Sequence, residues 1–180
     1  TWEQFLDLCK EVQDKGAATW GLTHRPGAGS DFLDVMMTLG GEYYNDEGKL
    51  VFDSEGLQRF FQQIYDNANV TKITPQNLTQ VAWDTINTMV GDGTAFAYYG
   101  PLYSATYVAG AVDKTPEQFA EDVGFAVFPV SEYNDTPFCI AAPQGMGINA
   151  TTQYPEICKD LFRELYCGDS IDQLAHHADT

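Results

Sequence analysis

The architecture of the chain shows first in the sequence TQVAWDTINTMVGDGTAFAYYGPLYSATYVA, residues 79–109. Apolar residues recur at helical spacing from Thr79 to Val90, and Gly91-Asp92-Gly93 ends that predicted helix. Thr94 to Tyr99 (TAFAYY) is a short apolar run typical of a strand. Gly100-Pro101 ends the strand and opens a helix over Leu102–Ala109, because proline suits the first helical turn. A helix, a strand and a second helix in succession predict an α/β unit.

The same alternation extends along the rest of the chain. Thr1 and Gln4 have capping-box spacing, and Ser54 suits a helix N-cap. The further predicted helices cover Thr1–Lys15, Phe32–Leu39, the segment after Ser54, Thr115–Glu121, Tyr154–Tyr166 and a start at Asp169–Ala175. The further predicted strands lie in Ala17–Gly29, a hairpin over Glu42–Asp53, Val123–Val130 and Ile140–Asn149. The sequence therefore predicts an α/β fold with a small mixed sheet of about four to five strands flanked by helices.

Composition limits the class of partner. The 180 residues include 44% apolar and 19% charged types, which favours a packed domain over disorder. Nine Lys and Arg face 26 Asp and Glu, so the formal net charge is −17. Nucleic acids and anionic membranes are bound through Lys and Arg that neutralise phosphate. We therefore expect neither as a partner.

The cysteines and histidines do not have the spacing of a metal site. Cys9, Cys139, Cys158 and Cys167 form no CxxC pair, and His176 and His177 are adjacent. The favoured interpretation of the cysteines is small buried hydrophobic residues, and a disulfide between distant pairs stays open. We expect no metal and no cofactor.

Catalytic motifs are absent from the sequence. There is no GxSxG, P-loop, HExxH, or GxGxxG between a strand and a helix. Paired carboxylates of the kind that hydrolyse glycosides stay open, since Asp and Glu are numerous. Most of these acids lie at helix starts, in turns or on polar faces, as Glu55 and Asp84 do. An enzyme is therefore the weaker hypothesis.

Aromatic residues around Gly100-Pro101 indicate a binding surface. Tyr98, Tyr99, Tyr103 and Tyr107 lie at or after the carboxyl end of the predicted strand, where open α/β sheets bind ligands. Aromatic faces suit the apolar C–H surface of sugar rings, and polar groups such as His24, Arg25, Asp31 and Asn149 suit hydroxyls. The alternative is that these tyrosines belong to the core or its rim.

Four segments, in this order and spacing, resemble a known family over nearly the whole chain. They are TWEQFLDLCKEVQDKG (1–16), LGGEYYNDEGKLVFDSEG (39–56), MVGDGTAFAYYGPLY (89–103), and VGFAVFPV (123–130) followed by GMGINATTQYPEICKDLFRELYCGDSIDQLA (145–175). The third resembles the family segment F-x-x-G-x-x-A-M-x-x-x-G-x-W. The chain is identified as a fragment of a carbohydrate-binding extracellular solute-binding protein of an ABC importer, of the maltose-binding-protein-like group.

The resemblance implies one lobe of a type II periplasmic-binding-protein fold, in which two lobes hold a solute between them. It implies a non-enzymatic carrier, in the periplasm or lipid-anchored at the bacterial cell surface, that passes a sugar to the transmembrane permease subunits. Residues 1–180 correspond to the C-terminal lobe. Within them, 147–180 correspond to the segment that crosses back to the missing N-terminal lobe. Docking of its helix elsewhere, loose packing, and a swapped homodimer stay open.

The resemblance also implies a set of ligand-binding residues. The family uses the loop after the first helix, here Thr23–Asp31, and stacks a tryptophan just after Gly-Pro, where this chain has Leu102 and then Tyr103. Ala141–Gly147 is expected near the cleft, and His24 is expected to be exposed, as single loop histidines usually are. The predicted ligand-binding residues are Arg25, Asp31, Tyr103, His24, Ser30, Leu102 and Tyr99.

Three hypotheses follow from the sequence. The first is capture of a sugar or oligosaccharide in a hinged cleft of which this chain forms one wall. The second is a carbohydrate-active enzyme domain that uses paired carboxylates. The third is an interaction module whose acidic surface forms the contact.

Overall fold

The computed structural model describes residues 1–25, 29–51, 54–138 and 146–166, with the backbone alone at 29–31 and 116. The chain divides into two compact units, Thr1–Ala141 and Ala142–Thr180. The predicted helix start at 169–175, Cys139, Cys167 and most of Ala141–Gly147 lie outside the described residues.

The first unit alternates helices with two strands. In chain order the elements are α1 (Trp2–Asp14), β1 (Trp20–His24), α2 (Gly29–Thr38), α3 (Glu55–Asn69), a 3-10 turn (Leu78–Gln80), α4 (Trp83–Gly91), β2 (Ala95–Tyr99), α5 (Ser104–Ala111) and α6 (Pro116–Asp122). The second unit contains α7 (Pro155–Tyr166). The predicted α/β class with helices around a small sheet is confirmed.

Local capping fixes where several helices begin. Thr1 and Gln4 form the predicted capping box of α1, and Thr115 and Gln118 form a second one at α6. The Ser54 hydroxyl accepts a hydrogen bond from the amide of Leu57 at the start of α3, as its position predicted.

The described sheet consists of β1 and β2, which run parallel. Trp20 pairs with Ala95, and His24 pairs with Tyr99 at the other end. The helix α1 packs against both strands. Because the strands are parallel and in this register, their carboxyl ends meet at one edge, which we call the carboxyl edge.

The sequence predicted more strands than the described residues form. The hairpin over Glu42–Asp53 is reduced to one antiparallel bridge between Tyr44 and Leu50. Val123–Val130 is not a strand, although Phe128 packs on the core and the Val130 carbonyl accepts a hydrogen bond from the Trp2 amide. Phe125 and Val127 are exposed. An apolar run becomes a strand only when a neighbouring strand completes its hydrogen bonds, and no such neighbour lies beside this one among the described residues.

The larger core joins α1, the sheet and α2. Trp2 is buried and stacks on Phe128, with ring centroids 5.4 Å apart. Tyr99 meets both of these rings edge-on. Cys9 and Leu22 are fully buried in the same cluster. Tyr99, a predicted ligand-binding residue, is therefore part of this core.

Side chains from a distant part of the sequence donate hydrogen bonds to the carbonyls at the end of α2. The Ser131 hydroxyl donates to the carbonyl of Thr38 over 2.6 Å, and the Asn134 amide donates to the carbonyl of Met37. Both carbonyls belong to the last turn of α2. The carbonyls of a helix's last turn have no amide partner within the helix. The segment after residue 130 is thereby fixed to α2.

The second unit has a different character. Its helix α7 is amphipathic, yet none of its residues is buried. Ion pairs Lys159–Glu156 and Arg163–Asp160 lie along it.

Cys158 on this helix and Cys9 in the first unit are free thiols. No helix within the described ranges is both long and apolar enough to cross a membrane.

Candidate functional site

The carboxyl edge of the sheet carries the paired rings of His24 and Tyr99. Their centroids are 4.9 Å apart and the planes differ by 11°, so they stack face to face. His24 is 7% exposed, and this burial lowers its pKa to about 4. Its Nδ1 is buried and has no hydrogen-bond partner within the part of the chain that the structure describes. The prediction that His24 is exposed is therefore wrong, because the β1–β2 register places its ring against Tyr99.

Arg25 follows β1 directly and is also buried, at 4% exposed. The guanidinium carbon lies 4.7 Å from the centroid of the Trp83 ring and 5.8 Å from that of Tyr103. Both are cation–π distances. A buried arginine at a strand end thus contacts two aromatic rings from other elements.

These two rings belong to the starts of two helices. Trp83 is the first residue of α4, and Tyr103 is the N-cap residue of α5. The two helices pack against each other, and α4 also packs against the sheet. Trp83 is 52% exposed and Tyr103 is 54% exposed. Each ring therefore contacts the guanidinium and still offers about half of its surface to solvent.

The aromatic surface continues along α5. Tyr107 lies one turn beyond Tyr103, with centroids 6.3 Å apart and nearly perpendicular planes, and it is exposed. Leu102 is also exposed. The Tyr98 hydroxyl lies 3.3 Å from that of Ser104, which ties the end of β2 to the first turn of α5. Exposed ring faces can cover the apolar face of a sugar, and the tyrosine hydroxyls can hydrogen-bond its hydroxyls.

The structure brings some of the predicted ligand-binding residues together. His24, Arg25, Tyr99 and Tyr103 lie at the carboxyl edge, and Leu102 adjoins Tyr103 in sequence. Of these, Tyr103 and Leu102 are exposed, whereas His24, Arg25 and Tyr99 are buried. Ser30 and Asp31 lie in α2, and their side chains are outside the described residues. Asn149 belongs to the second unit.

Sequence reasoning missed Trp83. Its helix ends at Gly91, and only residues 92–94 separate it from β2. Such a short turn returns the chain along the helix it has just left, so the first residue of α4 lies near the end of β2. That topological signal, rather than any local motif, could have placed Trp83 at the carboxyl edge.

Two depressions in the described part of the first unit lie at the opposite end of the sheet. One is lined by Trp20, Lys72, Thr74, Gln76 and Asn77, and the other by residues 16–19 and 92–94. Both adjoin the amino ends of the strands. Within the described residues, no three His, Cys, Asp or Glu side chains are grouped as metal ligands would be. The exposed rings at the carboxyl edge lie outside both depressions.

The exposed rings lie at the carboxyl edge of a parallel sheet, which is where open α/β sheets bind their ligands. The chain belongs to the bacterial extracellular solute-binding protein family, whose model matches residues 1–166. Binding of solutes, and not a reaction, defines that family.

One solved structure shares the fold. It is maltose-bound MalE3 of T. maritima, with 22% sequence identity and a TM-score of 0.61 over 72% of this chain. The match covers 33% of the MalE3 chain, so the matched part of this chain spans about a third of that protein's length. A search of the curated proteins gives no match.

Proposed function

We propose that this chain is part of the substrate-binding component of an ABC importer, and that it captures a sugar or oligosaccharide. The observation that carries the proposal is the pair of half-exposed rings, Trp83 and Tyr103, held at the carboxyl edge in a member of a solute-binding family. Maltose in the structurally similar MalE3 favours a carbohydrate over other small polar solutes.

The binding site is one wall of a cleft between two lobes. Residues 1–180 form the C-terminal lobe, and an N-terminal lobe supplies the opposite wall. Two observations support this division: the match to a third of MalE3, and the two half-exposed rings, which an opposite wall would cover. Closure of the lobes is then a population shift whose size equals the sugar's preference for the closed form.

The last part of the chain belongs with the second lobe. Residues 147–180 form the segment that crosses back to it, and the apolar side chains of α7 pack there in the complete protein. The amphipathic helix with no buried residue supports this assignment. The complete protein works outside the cytoplasm, in the periplasm or on a lipid anchor, and delivers its sugar to the permease subunits.

Isothermal titration calorimetry of the complete two-lobe protein tests the proposal. The panel contains glucose, maltose, maltotriose, cellobiose, xylobiose, lactose, sucrose and trehalose, with amino acids and a dipeptide as controls. We expect saturable binding of at least one saccharide and none of the amino acids. Chromatography of the same mixtures after prolonged incubation detects hydrolysis. Hydrolysis abolished by changing a single carboxylate would replace the carrier by an enzyme, and no heat with any saccharide would refute sugar capture.

A further inference from the structure

Trp83 and Tyr103 share one support, the guanidinium of Arg25. Its central carbon lies 4.7 Å and 5.8 Å from the two ring centroids. The rings come from different helices, and Arg25 comes from the end of β1. One side chain therefore links the strand end to the starts of α4 and α5. A planar guanidinium is well suited to this, because it can lie against aromatic faces while its N–H groups bond elsewhere.

Solvent exposure distinguishes Arg25 from the two rings that it contacts. Arg25 is almost fully buried, whereas about half of each ring is open to solvent. An incoming solute at this surface thus meets indole and phenol rings first, and the guanidinium lies beneath them. Arg25 was predicted as a direct ligand contact, and its burial favours an indirect role instead.

The placement of charge indicates what kind of solute suits this surface. Seven Lys and Arg side chains form ion pairs with Asp or Glu among the described residues. Lys72 lines the depression near the amino ends of the strands, and Arg25, whose guanidinium contacts the two rings, is buried. The overall charge of −17 would repel an anionic sugar, and Arg25, the cation that contacts the two rings, is buried. An uncharged sugar needs no cation at this surface.

We propose that Trp83, together with Tyr103, stacks on an uncharged sugar ring, and that Arg25 is a positioning residue that holds both rings in place. The inference rests on the proposed function and deepens it. It assigns a stacking residue, a positioning residue and a solute class, the neutral saccharides.

Calorimetry with the complete protein and the saccharide panel above tests the stacking role. Trp83→Ala and Tyr103→Ala each raise the Kd of the tightest-binding saccharide by about tenfold or more. Trp83→Phe keeps a ring and stays within about threefold of the unchanged protein. Tyr65→Ala, which removes an exposed tyrosine from α3, is the matched control and leaves the Kd unchanged.

Ligand charge gives a second measurement. The uronic acid analogue of that saccharide, which has a carboxylate in place of one hydroxymethyl group, binds at least about tenfold more weakly. Equal or tighter binding of the uronic acid would overturn the assignment to neutral saccharides.

A double-mutant cycle tests the positioning role of Arg25. Arg25→Ala raises the Kd by about tenfold alone, but changes it by less than about twofold in the Trp83→Ala, Tyr103→Ala background, because it acts through those rings. Arg25→Lys keeps the charge and recovers part of the affinity. The tryptophan emission assigned to Trp83, taken as the difference from Trp83→Phe, shifts on sugar addition and is already altered in Arg25→Lys without sugar.

The outcomes separate the two proposals. If no saccharide binds the unchanged protein, both fail. If a saccharide binds but Trp83→Ala keeps full affinity and the Trp83 emission does not respond, sugar capture stands and the stacking role is wrong. If Arg25→Ala or Arg25→Lys weakens binding equally with and without the two rings, Arg25 contacts the sugar itself and is not a positioning residue.

Discussion

At the scale of single residues, His24 is neutral at neutral pH. Its ring is buried against Tyr99, and its Nδ1 has no hydrogen-bond partner among the described residues. Burial lowers the pKa of the imidazole from its usual 6.5 to about 4. The unfolded chain takes up a proton near pH 6.5, and the folded chain does so only near pH 4. Stability that is fully present above pH 6.5 is therefore lost as the pH falls through this interval.

We predict that the free energy of unfolding falls by about 2 kcal/mol between pH 7 and pH 5 because of His24 alone. His24→Phe keeps a stacked ring without a titrating group, so its decrease over that interval is smaller by this amount. Urea unfolding of both proteins at the two pH values measures the difference. Parallel losses in the two proteins would mean that His24 is not buried as described.

At this scale the sequence predicted which residues lie at the carboxyl edge better than it predicted their contacts. Arg25 and Tyr103 could be placed because a strand end and a Gly-Pro turn are local features. The burial of Arg25 and His24 could not, since it depends on the register of β1 with β2, which are some 70 residues apart. Trp83 could be placed at the carboxyl edge only once the packing of α4 beside the sheet was known.

At the scale of elements, α3 begins against the turn that follows α2. A Cβ added to Gly56 would lie 2.0 Å from the backbone nitrogen of Gly41 and 2.2 Å from its Cα. Only hydrogen fits between backbones this close. The two segments therefore require glycine at position 56.

We predict that Gly56→Ala lowers the free energy of unfolding by at least about 2 kcal/mol, since backbone must move. Gly110→Ala is the matched control in α5, where an added Cβ would point into open space. That change stabilises the protein by about 0.5–1 kcal/mol, because alanine favours the helix. Thermal and urea unfolding of both variants checks the opposite signs, and a neutral Gly56→Ala would contradict the close approach.

Helices were more predictable than strands for a physical reason. The caps at Thr1, Ser54 and Thr115 act within one turn, so the sequence alone shows them. Val123–Val130 has the composition of a buried strand, but strand formation depends on a partner that is distant in sequence. The sequence therefore shows that residues 123–130 favour a strand, but it does not show whether another strand lies beside them.

In the whole molecule, the proposed second lobe would cover the apolar side chains of α7. Leu161 is 53% exposed on this helix, although its apolar spacing is that of a packed face. If the second lobe covers α7, Leu161 is buried in the complete protein. Leu161→Ala then costs about 2–5 kcal/mol there and less than about 0.5 kcal/mol in residues 1–180 alone. Unfolding free energies of the four proteins measure this, and a small cost in both lengths would refute the assignment.

In the proposed function, the carboxyl edge of β1 and β2 forms one wall of a sugar site. Hydrogen exchange of the complete protein, with and without its tightest-binding saccharide, shows where the sugar lies. We predict that bound sugar slows exchange in peptides covering 22–25, 83–86 and 99–107, and leaves 72–77, which line the depression near the amino ends of the strands, unchanged. Slowed exchange at 72–77 with no change at the carboxyl edge would contradict the claim.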